Sequence, residues 1–122
     1  MKKILIVDDE PDQRYTIKVT LEDAIKDFEV ISAGSGEECI EKLKKNEVPD
    51  LILLDIMMPE MSGWEVLKIV KENKEWSKIP IIFLTAKTDE IAQEHGDLIA
   101  DDYIEKPFDI NELTKRINKL LN

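Results

Sequence analysis

The feature that most constrains the fold is a regular alternation of short apolar runs with segments of helical period. Five runs rich in Ile, Val, Leu and Phe have the length and composition of strands. They lie at Ile4–Val7, Glu29–Ala33, Leu51–Leu54, Ile81–Thr85 and Tyr103–Glu105. Between and after these runs, apolar residues recur at steps of three and four, the spacing of one buried helical stripe. Five strands alternating with five helices predict βαβ units, and therefore an α/β fold with helices on both faces of a parallel sheet.

The predicted helices are recognised by their apolar stripes and by their start signals. The first stripe consists of five residues: Ile17, Leu21, Ala24, Ile25 and Phe28. Three helix starts resemble the capping box, in which a short polar residue precedes a Glu by three positions. These pairs are Ser35 with Glu38, Ser62 with Glu65 and, as an acidic variant, Asp109 with Glu112. The fourth segment, Thr88–Ala100, has few large apolar residues and is the weakest of the predicted helices.

Length and charge restrict the setting and the partners. With 122 residues, of which 43% are hydrophobic, the chain is expected to form a single domain, residues 1–122, around one core. Its 27 acidic and 17 basic residues give a net charge of -10. Such a charge repels phosphate backbones and anionic lipid surfaces, which argues against direct binding to nucleic acid or membrane.

The apolar runs and the cysteine content indicate a location. Every apolar run is far shorter than the about 20 residues that span a bilayer, and the apolar stretch after Lys2 and Lys3 is too short for a signal peptide. The single cysteine, Cys39, cannot form an intrachain disulfide and is interpreted as a small buried thiol. These features predict a cytoplasmic protein.

Polar residues stand where the predicted strands end. Asp8 and Asp9 follow the first strand, Asp55 follows the third, Thr85 ends the fourth and Lys106 follows the fifth. Because ligands of parallel sheets collect beyond the carboxyl ends of the strands, this edge is the expected site. An unpaired, ionised carboxylate in the core would cost several kcal/mol, on the order of one damaging mutation. Asp55 is therefore expected at the edge of the sheet and not inside it.

The residue types at this edge indicate phosphoryl transfer. Three carboxylates that converge on one point repel one another unless a divalent cation binds their oxygens. Lys106 adds a positive charge that suits an anion such as phosphate. A cation, a lysine and a nucleophilic carboxylate together suggest transfer of a phosphoryl group to an aspartate, with Mg²⁺ offsetting the developing charge.

Each of these residues alone has a simpler interpretation. Acidic residues before Pro11 can stabilise the N-terminus of the first helix, Lys106 can lie in a solvated loop and Thr85 can be an ordinary strand residue. Only the combination favours a functional site.

Four segments of the chain together resemble the conserved blocks of response-regulator receiver domains. These segments are ILIVDDE, LILLDIMMPEMSGWEVL, IPIIFLTA and DDYIEKPF, and the resemblance covers essentially the whole chain. It implies a flavodoxin-like (βα)5 three-layer sandwich. A chemotaxis member of this family has the strand order 2-1-3-4-5, and the resemblance implies that order here.

The resemblance also implies roles for single residues. Asp55 is the expected phosphoacceptor. Mg²⁺, or Mn²⁺ in its place, is expected to bind Asp9, Asp55 and the backbone carbonyl of Met57, with Asp8 acting mostly through water. Further residues of the matched segments are expected to contact the phosphoryl oxygens, to switch or to shape loops: Thr85 and Lys106 as side-chain contacts, Met57 and Ala86 as backbone contacts, Thr85 and Tyr103 as switch residues, and Gly63 and Pro107 in loop geometry.

The resemblance implies a signalling role and leaves alternatives. A sensor histidine kinase, a phosphotransfer protein or a small phosphodonor is the expected donor, and a downstream protein or a fused output domain the expected target. The target is expected to dock on the surface of the fourth helix, the fifth strand and the fifth helix. The chain would catalyse only its own phosphorylation and dephosphorylation, either as a stand-alone regulator or as the receiver part of a longer protein.

Three other functions fit the sequence less well. An aspartyl-phosphate phosphatase usually has a second acid two residues after its nucleophile, where this chain has Met57. A flavodoxin-like electron carrier needs a loop rich in glycine and hydroxyls after the first strand, where this chain has DDEPD. An unphosphorylated interaction scaffold would not need the full set of reactive residues.

Overall fold

The computed structural model describes residues 2–24, 27–85 and 100–121. Its elements follow one another in the order β1 (Lys2–Val7), α1 (Pro11–Ala24), β2 (Phe28–Ala33), α2 (Gly36–Lys44), β3 (Leu51–Asp55), α3 (Gly63–Glu72), β4 (Ile81–Thr85), β5 (Asp102–Glu105) and a C-terminal helix (Ile110–Leu121). The predicted fourth helical segment lies outside the described residues, apart from Ala100 at its end.

The five strands form one parallel sheet in the order β2-β1-β3-β4-β5. This order and the all-parallel pairing confirm the predicted fold class. β1 lies beside both β2 and β3, with Val7 opposite Leu54, so the carboxyl ends of β1 and β3 are neighbours. β3 continues the sheet into β4, where Asp55 pairs with Leu84. The residues that follow β1, β3, β4 and β5 therefore meet at one edge.

Both faces of the sheet are covered, which explains the unbroken apolar runs of its central strands. Side chains alternate between the faces along each strand. In β3, Leu51 and Leu53 belong to the core that includes α1 and the C-terminal helix, whereas Ile52 and Leu54 belong to the core that includes α2 and α3. All four are 0% exposed. The run LILL is thus apolar throughout because each of its side chains faces one of two cores.

The helix starts agree with the capping pattern at two of three positions. The Ser35 hydroxyl accepts a hydrogen bond from the Glu38 amide at 3.1 Å, and the Ser62 hydroxyl accepts one from the Glu65 amide at 3.4 Å. Asp109 differs, because its carboxylate accepts from the Asn111 amide at 2.7 Å.

The first predicted helical stripe is confirmed at two residues and wrong at two others. Ile17 and Leu21 are buried, but Ala24 is exposed at the last turn of α1, and Phe28 is buried as the first residue of β2 and not as part of a helix. Ile25 lies outside the described residues. Cys39 is buried as a free thiol, and burial raises its pKa to about 12, so it is unreactive.

Candidate functional site

Three carboxylates meet at the carboxyl edge of the sheet. Asp8 directly follows β1 and is 0% exposed, and Asp55 is the last residue of β3 and is 8% exposed. One carboxylate oxygen from each of Asp8, Asp9 and Asp55 lies within 4.8 Å of the others. Carboxylate oxygens are the ligands that Mg²⁺ and Mn²⁺ prefer. The donor set and its spacing therefore fit one divalent cation, which would reduce the repulsion between the three charges.

Lys106 lies beside two of these carboxylates. Its ammonium nitrogen is 3.8 Å from Asp8 Oδ2 and 3.7 Å from Asp55 Oδ2. The backbone amide of Lys106 donates to the Thr85 carbonyl at 2.7 Å. This hydrogen bond fixes the start of the loop after β5 against the end of β4. The Lys106–Pro107 peptide bond is cis. The site thus combines a cluster of negative charge with one cation at the same edge.

The alternation of side chains explains why these groups share one face of the sheet. Asp8 continues the series of Ile4 and Ile6, and Asp55 continues the series of Leu51 and Leu53, both of which face α1. Because successive side chains of a strand point to opposite faces, every second residue shares a face. The same rule relates Lys106 to Ile104 on β5, which also belongs to the core beside α1. Each charged residue therefore lies on the α1 face of the sheet because it is an even number of positions from the strand residues that face α1.

Asp55 lies in an environment that resists its ionisation. Burial raises the pKa of its carboxyl from 3.8 to about 6, and the Lys106 ammonium opposes this rise. The carboxylates of Asp8 and Asp9 raise the pKa further, whereas a hydrogen bond from the Met57 amide, at 3.3 Å, lowers it. A bound divalent cation would favour the ionised, nucleophilic form.

Asp8 is stabilised by the first turn of α1 and by the residue before it, and this part of the site was missed in the sequence. The Glu10 amide donates to Asp8 Oδ1 at 2.9 Å, and Arg14 Nη1 donates to the Asp8 backbone carbonyl at 2.7 Å. Gln13 lies between Asp8 and Lys106. The only signal in the sequence was that Gln13 and Arg14 follow the acidic pair within the first turn of the predicted helix.

The remaining predicted residues surround this centre. Thr85, at the end of β4, is 2% exposed. Tyr103, on β5, is partly buried, and its ring centroid lies 5.7 Å from that of Phe83. Met57 follows Asp55 by two positions, and its side chain is 75% exposed. Ala86 lies outside the described residues, so its predicted backbone contact stays a prediction.

Gly63 is the first residue of α3 and packs against the backbone at the end of β3. Its amide donates to the Ile56 carbonyl at 2.9 Å. A Cβ at this position would lie 2.6 Å from the Asp55 carbonyl oxygen and 2.8 Å from Ile56 Cα, closer than real Cβ atoms come. The close approach of α3 to the end of β3 therefore requires a glycine.

The sequence matches a protein-family model over almost the whole fold. Residues 4–118 match the model of the response regulator receiver domain. The chain is 41% identical over 121 residues to the alkaline phosphatase synthesis transcriptional regulatory protein PhoP of Bacillus subtilis, an alignment that covers 98% of this chain and 48% of PhoP. The chain thus spans about half the length of this curated relative.

Solved structures agree with this match. The chemotaxis response regulator CheY4 of Vibrio cholerae superposes with a TM-score of 0.88 at 35% identity, over 99% of each chain. The response regulator TrrA of Thermotoga maritima, solved in complex with Mg²⁺ and BeF, superposes with a TM-score of 0.85 at 37% identity, over 99% of this chain and 100% of TrrA. None of the helices in the described part of the chain has the length and apolar character needed to cross a bilayer. With its parallel sheet, its acidic edge and these matches, the chain belongs to the response regulator receiver domains of two-component systems.

Proposed function

We propose that Asp55 accepts a phosphoryl group from a sensor histidine kinase, a phosphotransfer protein or a small phosphodonor. The observation that supports this role is the Asp55 carboxylate at the sheet edge with the Lys106 ammonium 3.7 Å away and two more carboxylates beside it. An Asp55 oxygen forms the new bond to phosphorus, and the bond to the donor breaks as the leaving group departs with its electron pair. Lys106 neutralises charge on the phosphoryl oxygens.

The proposed reaction depends on Mg²⁺ or Mn²⁺. A bound divalent cation supplies positive charge that stabilises the transferring group. Asp9 and Asp55 would be direct ligands together with the Met57 carbonyl, and the fully buried Asp8 would act mostly through water. The complex of TrrA with Mg²⁺ and BeF supports the dependence on a divalent cation, because beryllium fluoride mimics a phosphoryl group.

We further propose that the domain signals and does not turn over a substrate. The residue two positions after Asp55 is Met57, whose exposed apolar side chain cannot act as the second acid of a phosphatase. The target of the phosphorylated domain is a downstream protein or a fused output domain in the cytoplasm. A fused output domain is consistent with the name of PhoP, a transcriptional regulatory protein about half of which this chain matches. The receiver domain itself, with a net charge of -10, does not contact nucleic acid or membrane directly.

Labelling with acetyl phosphate tests the proposal. In Mg²⁺ the wild-type chain should gain one phosphoryl group in an intact-mass spectrum, and in excess chelator it should gain none. Mg²⁺ should also raise the thermal midpoint by several degrees, because it binds only the native site. Asp9→Ala should lose most of both responses, since it removes one ligand of the cluster.

The matched control for this prediction is Asp23→Ala, an exposed acidic residue on α1. It removes one negative charge without touching the cluster and should respond to Mg²⁺ like the wild type. If Asp9→Ala and Asp23→Ala responded alike, general screening and not a site would explain the effect of Mg²⁺.

We infer that phosphorylation is read out through Thr85 and Tyr103. Thr85 ends β4 beside β3, and Tyr103 packs on Phe83 two residues earlier in β4. The Tyr103 hydroxyl accepts a hydrogen bond from the Ala100 amide at 3.4 Å. If the Thr85 hydroxyl moves to a phosphoryl oxygen, the packing around Tyr103 changes, and two packings can then be populated differently.

This change would reach the proposed docking surface through Arg116. Its guanidinium, on the C-terminal helix, donates to Asp102 Oδ1 at 2.6 Å and to the Tyr103 carbonyl at 3.0 Å. β5 and the C-terminal helix are therefore linked at the residue proposed to move. The part of the surface formed by the predicted fourth helix lies outside the described residues.

Thr85→Ala should separate labelling from switching. The nucleophile, the metal ligands and Lys106 remain, so acetyl phosphate should still label Asp55. The change in amide NMR shifts that labelling causes around Tyr103 and Arg116 should be much smaller than in the wild type. The full wild-type shift pattern in labelled Thr85→Ala would exclude this hydroxyl from the switch.

A further inference from the structure

A side-chain amide bridges the buried carboxylate of Asp8 and the partly exposed ammonium of Lys106. Gln13, the third residue of α1, lies between Asp8 and Lys106. An ionised carboxylate can only accept hydrogen bonds and an ammonium can only donate them. The amide is therefore oriented with its NH₂ group toward Asp8 and its oxygen toward Lys106. In this orientation Nε2 donates to Asp8 Oδ2 at 3.1 Å and Oε1 accepts from Lys106 Nζ at 3.1 Å.

The distances around Lys106 show what this bridge does. The ammonium is 3.1 Å from the Gln13 oxygen, but 3.8 Å from Asp8 Oδ2 and 3.7 Å from Asp55 Oδ2. The two carboxylate distances are longer than a hydrogen bond. Lys106 is thus hydrogen-bonded to a neutral group while it stays in the field of both carboxylates. An ammonium bonded directly to Asp55 would occupy the oxygen that must attack phosphorus.

The bridge also completes the hydrogen bonding of Asp8. This carboxylate is 0% exposed, so both of its oxygens need partners within the protein. Oδ1 accepts from the Glu10 amide at 2.9 Å, and Oδ2 accepts from Gln13. Asp8 is thereby fixed in one orientation, and through the amide its orientation is coupled to that of Lys106.

We propose that Gln13 is a positioning residue that holds the Lys106 ammonium beside Asp55 without a direct hydrogen bond to it. This inference rests on the proposed phosphoryl transfer to Asp55. The ammonium is then available to the oxygens of the incoming phosphoryl group, and the Asp55 oxygens are available to phosphorus and to the metal ion. The bridge would speed the reaction by orienting the ammonium, because positioning of charged groups is a main source of catalysis in phosphoryl transfer.

Gln13→Met tests the inference because it keeps the length and flexibility of the side chain and removes its donor and acceptor. At saturating Mg²⁺ its initial rate of labelling by acetyl phosphate should fall about tenfold, the scale expected for a lost hydrogen bond to a charged group. The side chain is only partly buried, so the variant should fold. The matched control is Thr16→Val, one turn further along α1, whose hydroxyl donates to the Asp12 carbonyl in its own helix at 2.9 Å. It should be labelled at the wild-type rate.

A spectroscopic measurement decides whether the effect passes through Lys106. The ammonium group of Lys106 gives a ¹⁵N–¹H signal that is assigned by its loss in Lys106→Arg. In the metal-free protein, Gln13→Met should shift or broaden this signal, and Thr16→Val should leave it unchanged. A purely structural role of Gln13 would not move it selectively.

The outcomes separate this inference from the proposed function. If wild-type protein were not labelled at all, phosphoryl transfer would be refuted, while the ammonium signal would still test the bridge. If the wild type were labelled and Gln13→Met matched its rate, the positioning role would be refuted. A slower Gln13→Met with an unchanged Lys106 signal would equally overturn it, because the loss would then not run through the ammonium.

Discussion

Asp55→Asn is expected to abolish labelling of this domain by acetyl phosphate in Mg²⁺, with a loss of at least about 100-fold. The amide has nearly the shape of the carboxylate but lacks the charge and the nucleophilic oxygen pair. Asp8 and Lys106 cannot replace it, because Asp8 is fully buried and the ammonium is a donor only. Intact-mass spectra over a time course measure the effect. Equal labelling of the variant and the wild type would remove Asp55 from its role.

The control for this variant is Asp23→Asn, the same chemical change on the exposed surface of α1. It should be labelled like the wild type. Urea unfolding checks that Asp55→Asn is folded, and the pKa of Asp55 predicts how its stability differs from that of the wild type.

The pKa of Asp55 is about 6 in the folded protein and about 3.8 in an unfolded chain. The folded state therefore binds a proton more tightly, and stability is lost as the pH rises through 6. Asn carries no such charge. Without Mg²⁺, Asp55→Asn should be more stable than the wild type above pH 7 by about 1–2 kcal/mol, a value reduced for solvent screening. The difference should vanish near pH 4, as measured by urea unfolding. A variant less stable than the wild type at pH 8 would contradict this account of the site.

The sheet was predictable because its two determinants are local. Apolar runs of strand length alternate with helical stripes, and a charged residue directly follows the first, third and fifth runs. The Leu51–Leu54 run, with no polar member, already required a strand covered on both faces, and all four side chains are buried. The place of Asp55 followed from the same reasoning, because a charge directly after such a run is tolerated only where the strand ends.

The features that were not predicted depend on how elements approach one another. Asp109 precedes Glu112 by three positions, the spacing of a capping box. The Glu112 carboxylate instead accepts a hydrogen bond from Arg116 at 3.1 Å, and the Asp109 carboxylate accepts one from the Asn111 amide. The spacing of residues along the chain does not show that Glu112 would pair with Arg116 and not cap the helix. Gln13 is similar, since its contact with Lys106 joins α1 to the loop after β5, about 90 residues later in sequence. Such a contact exists only after both elements have packed on the sheet.

Gly63→Ala is expected to destabilise the domain by about 2–4 kcal/mol, the range of a forced backbone shift in a packed core. The added methyl group would lie 2.6 Å from the Asp55 carbonyl oxygen and 2.8 Å from Ile56 Cα. Neither atom belongs to a flexible side chain, so α3 or the end of β3 must move. Because Asp55, the proposed phosphoacceptor, belongs to the displaced backbone, labelling by acetyl phosphate should also slow.

The matched control is Gly34→Ala, where the nearest atom to the added methyl group is Arg14 Nη1 at 3.0 Å. The end of the arginine side chain has to shift by only a few tenths of an ångström, which weakens its hydrogen bond to the Asp8 carbonyl, so this variant should lose about 1 kcal/mol. Urea unfolding followed by the fluorescence of Trp64 and Trp76, both buried in the core beside α3, measures the two variants under the same conditions. Equal stability of Gly63→Ala and Gly34→Ala would show that the end of β3 can yield, and that the glycine is not what fixes the Asp55 backbone. A selective loss in Gly63→Ala would instead link the packing of α3 directly to the position of the nucleophile.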